Sequence, residues 1–153
     1  NNFLLNSPQE KFILVSVTPT KEVTQTVIDE RVEQFIVDKK TEKIAYVKNA
    51  EHNFEVWVYY LKSFGEQPTK EANSRELITT SKERIGKIAW LEFDGFERHL
   101  LFLTSGQLKI AELDGRDRRN SAILATGLDN FFYEPSEQLI WGVTKDSFWQ
   151  ARL

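Results

Sequence analysis

The chain has no cysteine and no methionine, and only four prolines, seven glycines and two histidines in 153 residues. Without cysteine there can be no disulfide, no thiolate-ligated zinc and no cysteine nucleophile, although the compartment stays open. The two histidines, His52 and His99, give no His-x-x-x-His or His-Glu-x-x-His spacing. The glycines are scattered singly, so the sequence lacks a Gly-x-Gly-x-x-Gly fingerprint, a phosphate loop and a Gly-x-Ser-x-Gly elbow. The Asp-rich calcium loop is missing as well. No cofactor and no metal are therefore expected. No run approaches the roughly 20 apolar residues of a membrane-spanning helix, so direct membrane insertion is not expected. A net charge of −3 and a pI near 5.5 give no reason to expect nucleic acid as a partner. The chain opens at Asn1 without an initiator methionine, which suggests a processed product or an excised piece of a longer protein, with any targeting segment upstream.

What is present is an ordinary globular composition, 41% hydrophobic and 28% charged. A chain of this length can bury about 70% of the surface it exposes when unfolded, so it needs no staple. β-Branched and aromatic residues gather in short runs between polar turn clusters, the pattern of many short strands. The clearest runs are 12–17, 43–47, 54–61, 75–79, 87–91, 99–103, 107–113, 122–125, 130–133, 138–143 and 147–151. Ser105-Gly106 between two apolar runs predicts a two-residue hairpin. In Phe54 to Leu61 both faces are apolar, one with Phe54, Val56, Val58 and Tyr60, the other with Trp57, Tyr59 and Leu61. Such a strand must be covered on both sides, which favours stacked sheets. The segment Lys21 to Ile36 carries apolar residues near helical spacing, but its Val, Ile and Thr content favours two short strands. Glu66 to Ser74 is polar, contains Pro68, and reads as a long hairpin loop.

A strand, a polar turn and a second apolar strand recur in four units: Phe3 to Leu14, Phe35 to Tyr46, Trp90 to Phe102 and Phe132 to Trp141. Their leading aromatics are 32, 55 and 42 residues apart, scattered around the roughly 40–50 residues of a four-stranded propeller blade. The turns Asn6-Ser7-Pro8-Gln9-Glu10-Lys11, Glu92-Phe93-Asp94-Gly95-Phe96 and Pro135-Ser136 resemble the Ser-Pro-Asp-Gly-Lys turn of bacterial TolB-type, WD-repeat-like β-propeller blades. The first keeps Ser, Pro and Lys with Gln9-Glu10 in place of Asp-Gly, and the second keeps Asp-Gly without Ser-Pro. Glu112 to Asn120 is similar to propeller segments of bacterial proteins that carry PEGA domains. The expected fold is all-β, a partial β-propeller of about four incomplete to complete blades, with approximate limits 1–30, 31–80, 85–126 and 128–153 as one segment. The first and fourth blades each look one strand short.

The loop Asp114 to Asn120 sets Arg116, Arg118 and Arg119 around Asp117, and guanidinium forks can hold carboxylate or phosphate. Its plainer reading is a strand connection with Asp114 and Asp117 pairing the arginines and Asn120 tying the turn; neutralising the three arginines would then leave folding intact. Trp57, Trp90 and Trp141 fall in strands at comparable blade positions and read as inter-blade core. Trp149, in the last strand, is the best candidate for partner contact, because no following strand covers it. The carboxylates Glu92, Asp94, Glu97, Asp114 and Asp117 give no way to choose a catalytic pair. His52 reads as a solvated turn residue and His99 as an edge or interface residue. The family resemblance implies a non-catalytic binding or scaffolding platform of a larger bacterial protein, commonly in the cell envelope, with a protein partner and the remaining blades of the same polypeptide as its neighbours. A β-sandwich adhesion module, and a carbohydrate-binding or hydrolytic propeller with its site in the loops, are the alternatives.

Overall fold

The computed structural model describes residues 2–6, 10–65, 69–93, 95–116 and 119–153. They form fourteen strands and no helix: β1 (Asn2–Asn6), β2 (Lys11–Val17), β3 (Val23–Glu30), β4 (Val32–Val37), β5 (Lys43–Asn49), β6 (Phe54–Tyr60), β7 (Arg75–Ser81), β8 (Ile85–Phe93), β9 (Phe96–Thr104), β10 (Gln107–Glu112), β11 (Ser121–Ala125), β12 (Asn130–Glu134), β13 (Leu139–Val143) and β14 (Phe148–Arg152). Strands adjacent in sequence pair antiparallel in four separate sheets, β1-β2-β3, β4-β5-β6-β7, β8-β9-β10-β11 and β12-β13-β14. The first and fourth sheets thus have three strands each, where the second and third have four.

Three buried clusters lie between consecutive sheets. Phe12, Leu14 and Ile28 of the first sheet meet Ile44, Tyr46 and Tyr59 of the second. Val56, Val58 and Tyr60 of the second meet Trp90, Leu100 and Phe102 of the third. Leu101, Leu103 and Leu108 of the third meet Phe131 and Ile140 of the fourth. Sheets stacked face to face in chain order, each from an up-and-down meander, make a partial β-propeller. A β-sandwich has two sheets and one interface, so that alternative is overturned by these four sheets and three interfaces. β6 bears out the two-sided reading: Phe54, Val56, Val58 and Tyr60 face the third sheet, while Trp57, Tyr59 and Leu61 face the first.

Within Lys21 to Ile36 the residues from Val23 on are strand, broken only where Arg31 takes a φ of 56° between β3 and β4, and Lys21, itself at a φ of 66°, belongs to the turn before β3. The hairpin at Ser105-Gly106 has positive φ at both residues, 47° and 71°, the type I′ pattern that matches strand twist. Among the described residues, each of the four repeat turns has one in the left-handed region: Glu10, Thr41, Gly95 and Gln138. Only the third of these is a glycine, which is why the turn motif is blurred in the sequence.

The first unit nonetheless differs from the other three in placement. The Arg31 amide donates to the Glu10 carbonyl (2.7 Å), the Asn49 amide donates to the Arg31 carbonyl (3.0 Å), and the Arg31 guanidinium pairs with Glu51 (3.1 Å). The β1–β2 turn therefore lies at the same end as the β5–β6 turn. The β4–β5, β8–β9 and β12–β13 turns lie at the opposite end, where Lys43 donates to the Glu97 carbonyl and the Tyr133 hydroxyl donates to the Glu92 carbonyl. Three units are true structural repeats, and Phe3 to Leu14 is a hairpin of similar chemistry at the other end.

A cation-rimmed groove between the second and third sheets

The end shared by the β4–β5 and β8–β9 turns holds a groove of about 420 Å³ between the second and third sheets. The β6–β7 and β10–β11 connections complete its walls. Its floor is built from the β4–β5 turn. The buried Asp38 carboxylate accepts the amide N–H groups of Glu42 (2.7 Å) and Lys43 (2.8 Å), which fixes the turn and aims Lys43 at the next sheet. Lys43 donates to the Glu97 carbonyl (2.6 Å), lies 3.7 Å from the Asp38 carboxylate and stands 5.0 Å above the Trp90 ring. Burial lowers the pKa of Lys43 below the ordinary lysine value, against the opposing pull of Asp38, Glu97 and Glu42. With its ammonium held this way, Lys43 ties the two sheets together.

The exposed ring in the groove is Phe96, which opens β9 just after the left-handed Gly95. Lys40 Nζ lies 5.2 Å from its centroid and the Arg98 guanidinium 4.6 Å from it. Phe96 and Arg98 lie two apart on β9, where the register shift at Leu91 and Glu92 makes Arg98 the extra residue of a bulge, and the two side chains meet. Neither Lys40 nor Arg98 has a carboxylate partner among the described residues. The neighbouring carboxylates are already engaged. Glu97 accepts the Lys39 amide (3.0 and 3.2 Å), and burial, followed by the nearby Asp38 and Glu92, raises its pKa. Glu42 pairs with Lys62 (3.6 Å), and Glu112 accepts the Asn120 side-chain amide (2.9 Å).

Arg116 stands on the groove wall with its guanidinium on the Asp114 carboxylate, which also accepts the Arg116 amide (3.1 Å). These bonds from Arg116 pull Asp114 down to about 2. Arg119 points elsewhere. Its guanidinium donates to the Leu77 carbonyl (2.6 Å), the Ile78 carbonyl (3.2 Å) and the Glu76 carboxylate (2.7 Å), so it clasps the third sheet to the outer strand of the second. Glu76 also takes Lys70 (2.7 Å) and the Tyr60 hydroxyl (3.2 Å). The plain reading of the loop anticipated the Arg116–Asp114 pair and the Asn120 tie, but not this clasp across 43 residues of sequence. Arg118 and Asp117 lie outside the described residues.

Trp149 is far from the groove in the fold, in the last strand of the fourth sheet. It packs half-buried on the third cluster, with its indole laid over Gly142 so closely that a Cβ there would not fit. Among the described residues no strand follows β14 in its sheet, yet alternation puts Trp149 on the face turned to the third sheet and leaves its neighbour Phe148 bare. The structure therefore brings Arg116 to the groove, assigns Arg119 to a clasp, and separates both from Trp149. Lys40, Phe96 and Arg98 went unnoticed in the sequence. Their only signal was the i, i+2 pairing of Phe96 and Arg98; Lys40 comes from another sheet.

His99 sits half-buried edge-on to Phe93 (5.4 Å), and burial lowers its pKa. Among the described residues, no three His, Asp or Glu side chains converge as a metal-holding group.

No family model matches this chain. No curated protein matches it either. Solved structures do. A protein from Lactobacillus plantarum aligns over 95% of this chain and 48% of its own length, with a TM-score of 0.48 and 7% identity. A candidate 6-phosphogluconolactonase from Bacteroides fragilis aligns over 94% of this chain and 47% of its own, with a TM-score of 0.47 and 10% identity. The chain spans about half the length of these structures.

Proposed function

We propose that this chain is a non-catalytic, protein-binding propeller segment, and that the groove between its second and third sheets receives an acidic segment of a partner protein. The observation that carries this reading is the trio Lys40, Phe96 and Arg98: an exposed ring flanked by two cations that have no carboxylate partner among the described residues. Arginine and aromatic side chains in a concave site are the residue types that dominate protein interfaces. A partner carboxylate placed between Lys40 and Arg98 gains charge-assisted hydrogen bonds, and an apolar side chain beside it can cover Phe96. Resemblance of the turns to TolB-type, WD-repeat-like blades supports the same reading, because such blades serve as binding platforms.

The test is fluorescence anisotropy with a labelled octapeptide of seven glutamates and one central phenylalanine, compared with its all-lysine counterpart. Binding in the micromolar range, weakened about tenfold by Lys40→Ala with Arg98→Ala and weakened further by added salt, is the expected result. Equal binding of both peptides, or acidic-peptide binding unchanged in the double variant, would overturn it.

A further inference from the structure

The groove's cations are spaced by Glu97, which stands between Phe96 and Arg98 in β9. Its carboxylate accepts the Lys39 amide with both oxygens (3.0 and 3.2 Å), and Lys39 is the residue before Lys40. Its carbonyl accepts Lys43 Nζ (2.6 Å). One residue of the third sheet thus holds the β4–β5 turn by side chain and by backbone. That turn carries Lys40 to 5.2 Å from the Phe96 ring. A hydrogen bond from a backbone N–H to a carboxylate is charge-assisted and strong, so it fixes where the turn lies, and with it Lys40.

The same carboxylate is crowded by its own kind. Glu97 is the register partner of Glu92 in β8, and residues directly opposite in an antiparallel pair point to one side, where like charges repel. The buried Asp38 faces it from the second sheet. Lys39 Nζ offsets Glu92 (3.6 Å) and Lys43 Nζ offsets Asp38 (3.7 Å), so both ammonium groups serve other carboxylates. Glu97 itself has no ion-pair partner among the described residues. The Tyr133 hydroxyl, which donates to the Glu92 carbonyl, faces this cluster from the fourth sheet, and Arg98 and His99 follow Glu97 on β9. Burial, and then the charges of Asp38 and Glu92, already hold the Glu97 carboxyl above the ordinary glutamate value, against the Lys39 bond and Lys43.

An acidic segment seated between Lys40 and Arg98 adds one more negative charge beside Glu97. A nearby like charge disfavours the ionised form, so binding favours the protonated one. The coupling is reciprocal: protonation strengthens binding by the same factor. A protonated carboxyl keeps an acceptor oxygen for the Lys39 amide, so Lys40 stays in place while the repulsion is relieved. We propose that Glu97 is the positioning residue of the groove, and that an acidic segment binds there together with one proton taken up from solvent by the Glu97 carboxyl group. This inference rests on the groove reading above and adds its regulation. The groove holds its partner more tightly in mildly acidic surroundings and loosens near neutrality.

The test is an anisotropy titration with a peptide whose acids do not titrate, seven cysteic acids around one central phenylalanine, read from about pH 7.5 to about pH 5.5. Uptake of one proton changes affinity by at most about tenfold per pH unit, and the wild type should tighten by about threefold or more over this range. Glu97→Gln removes the charge but keeps an acceptor for the Lys39 amide. It should bind at about pH 7.5 as tightly as the wild type does at about pH 5.5, with a flat profile. Glu97→Ala removes both and should bind about fivefold more weakly than Glu97→Gln at every pH. His99→Gln should keep the wild-type slope. Circular dichroism checks that each variant is folded. Calorimetry of the wild type in two buffers of different ionisation enthalpy reads proton uptake without any variant. A flat wild-type profile, no proton uptake, a slope that survives Glu97→Gln, or one that vanishes in His99→Gln would overturn the proton coupling. Equal binding by Glu97→Ala and Glu97→Gln would overturn the positioning role. No binding by the wild type at any pH would overturn the groove reading and this inference with it, which separates that failure from the others.

Discussion

Replacing Asp29 by alanine should cost about 3 kcal/mol of folding stability, as the following geometry requires. Asp29 is almost fully buried between the first and second sheets. Its carboxylate accepts Lys48 Nζ (2.6 Å), the Tyr46 hydroxyl (2.9 Å), the Glu30 amide (2.8 Å) and the Arg75 guanidinium. Tyr46 has no exposure, so removing its acceptor strands a buried hydroxyl at about 1–3 kcal/mol. Lys48 would lose its buried partner, and breaking such a pair costs about 3–5 kcal/mol. Arg75 is 45% exposed along its side chain and can turn to water, so the lower end of that range applies. For a chain of this size, 3 kcal/mol corresponds to a fall in Tm of about 6–12 °C. The pH dependence is a second, independent check. Burial alone would raise the pKa of Asp29, but the bonds from Lys48, Glu30 and Tyr46 and the charge of Arg75 outweigh it and hold the carboxyl below its ordinary value. A group whose folded pKa is depressed contributes fully above its unfolded pKa and loses that contribution as pH falls through the folded one. The gap between wild type and Asp29→Ala should therefore be full at pH 7 and narrow below about pH 4. Burial, followed by the Asp29 charge, pushes the Tyr46 hydroxyl up, so it stays a donor across this range. The assay is urea unfolding followed by tryptophan fluorescence at matched chain concentration, because association shifts apparent stability. A loss under 1 kcal/mol at pH 7, or a gap constant down to pH 3, would refute the reasoning.

Trp90→Ala should destabilise by about 3–5 kcal/mol in the same assay, since the indole fills the second interface and carries Lys43 above it; a shift under 1 kcal/mol would remove it from the core. Arg119→Ala should cost about 2 kcal/mol, because it strips the donor from two strand carbonyls and Glu76. Arg116→Ala should change stability by less than about 0.5 kcal/mol, as its pair with Asp114 is at the surface. Equal losses for the two arginines would show that the clasp does not carry the difference.

The strand content and the stacking were legible because both rest on local patterns. Alternation along Phe54 to Tyr60 sorts every ring to the correct wall, since side-chain direction in a strand is fixed by position alone. The turn motif was legible in kind but not in place. The β1–β2 hairpin has a turn composition that matches the other units, yet a turn of given composition can cap either end of a sheet. Which end it caps depends on how many strands precede it, and the first sheet has three.

The polar clasps were illegible for a different reason. A strand with strict alternation would send Ile28 and Asp29 to opposite faces, and a reader would leave the aspartate in water. Between Phe12 and Ile13 the register shifts, so Ile13 pairs with Val27 and Phe12 with Asp29, and Ile28 is the extra residue. That bulge turns two successive side chains inward and carries a carboxylate into the interface. Once there it needs cations, and they come from positions 19 and 46 residues further along the chain. Arg119 and Glu76 meet across a similar gap. Charges of this kind are read as surface residues in a linear sequence because their burial is a property of the sheet-to-sheet interface. The groove follows the same logic: Lys40 from one sheet and Arg98 from the next meet over Phe96 because Lys43 ties the two sheet ends together through the carbonyl of Glu97. The interfaces that stabilise the stack thus also set the spacing of the cations that we assign to binding.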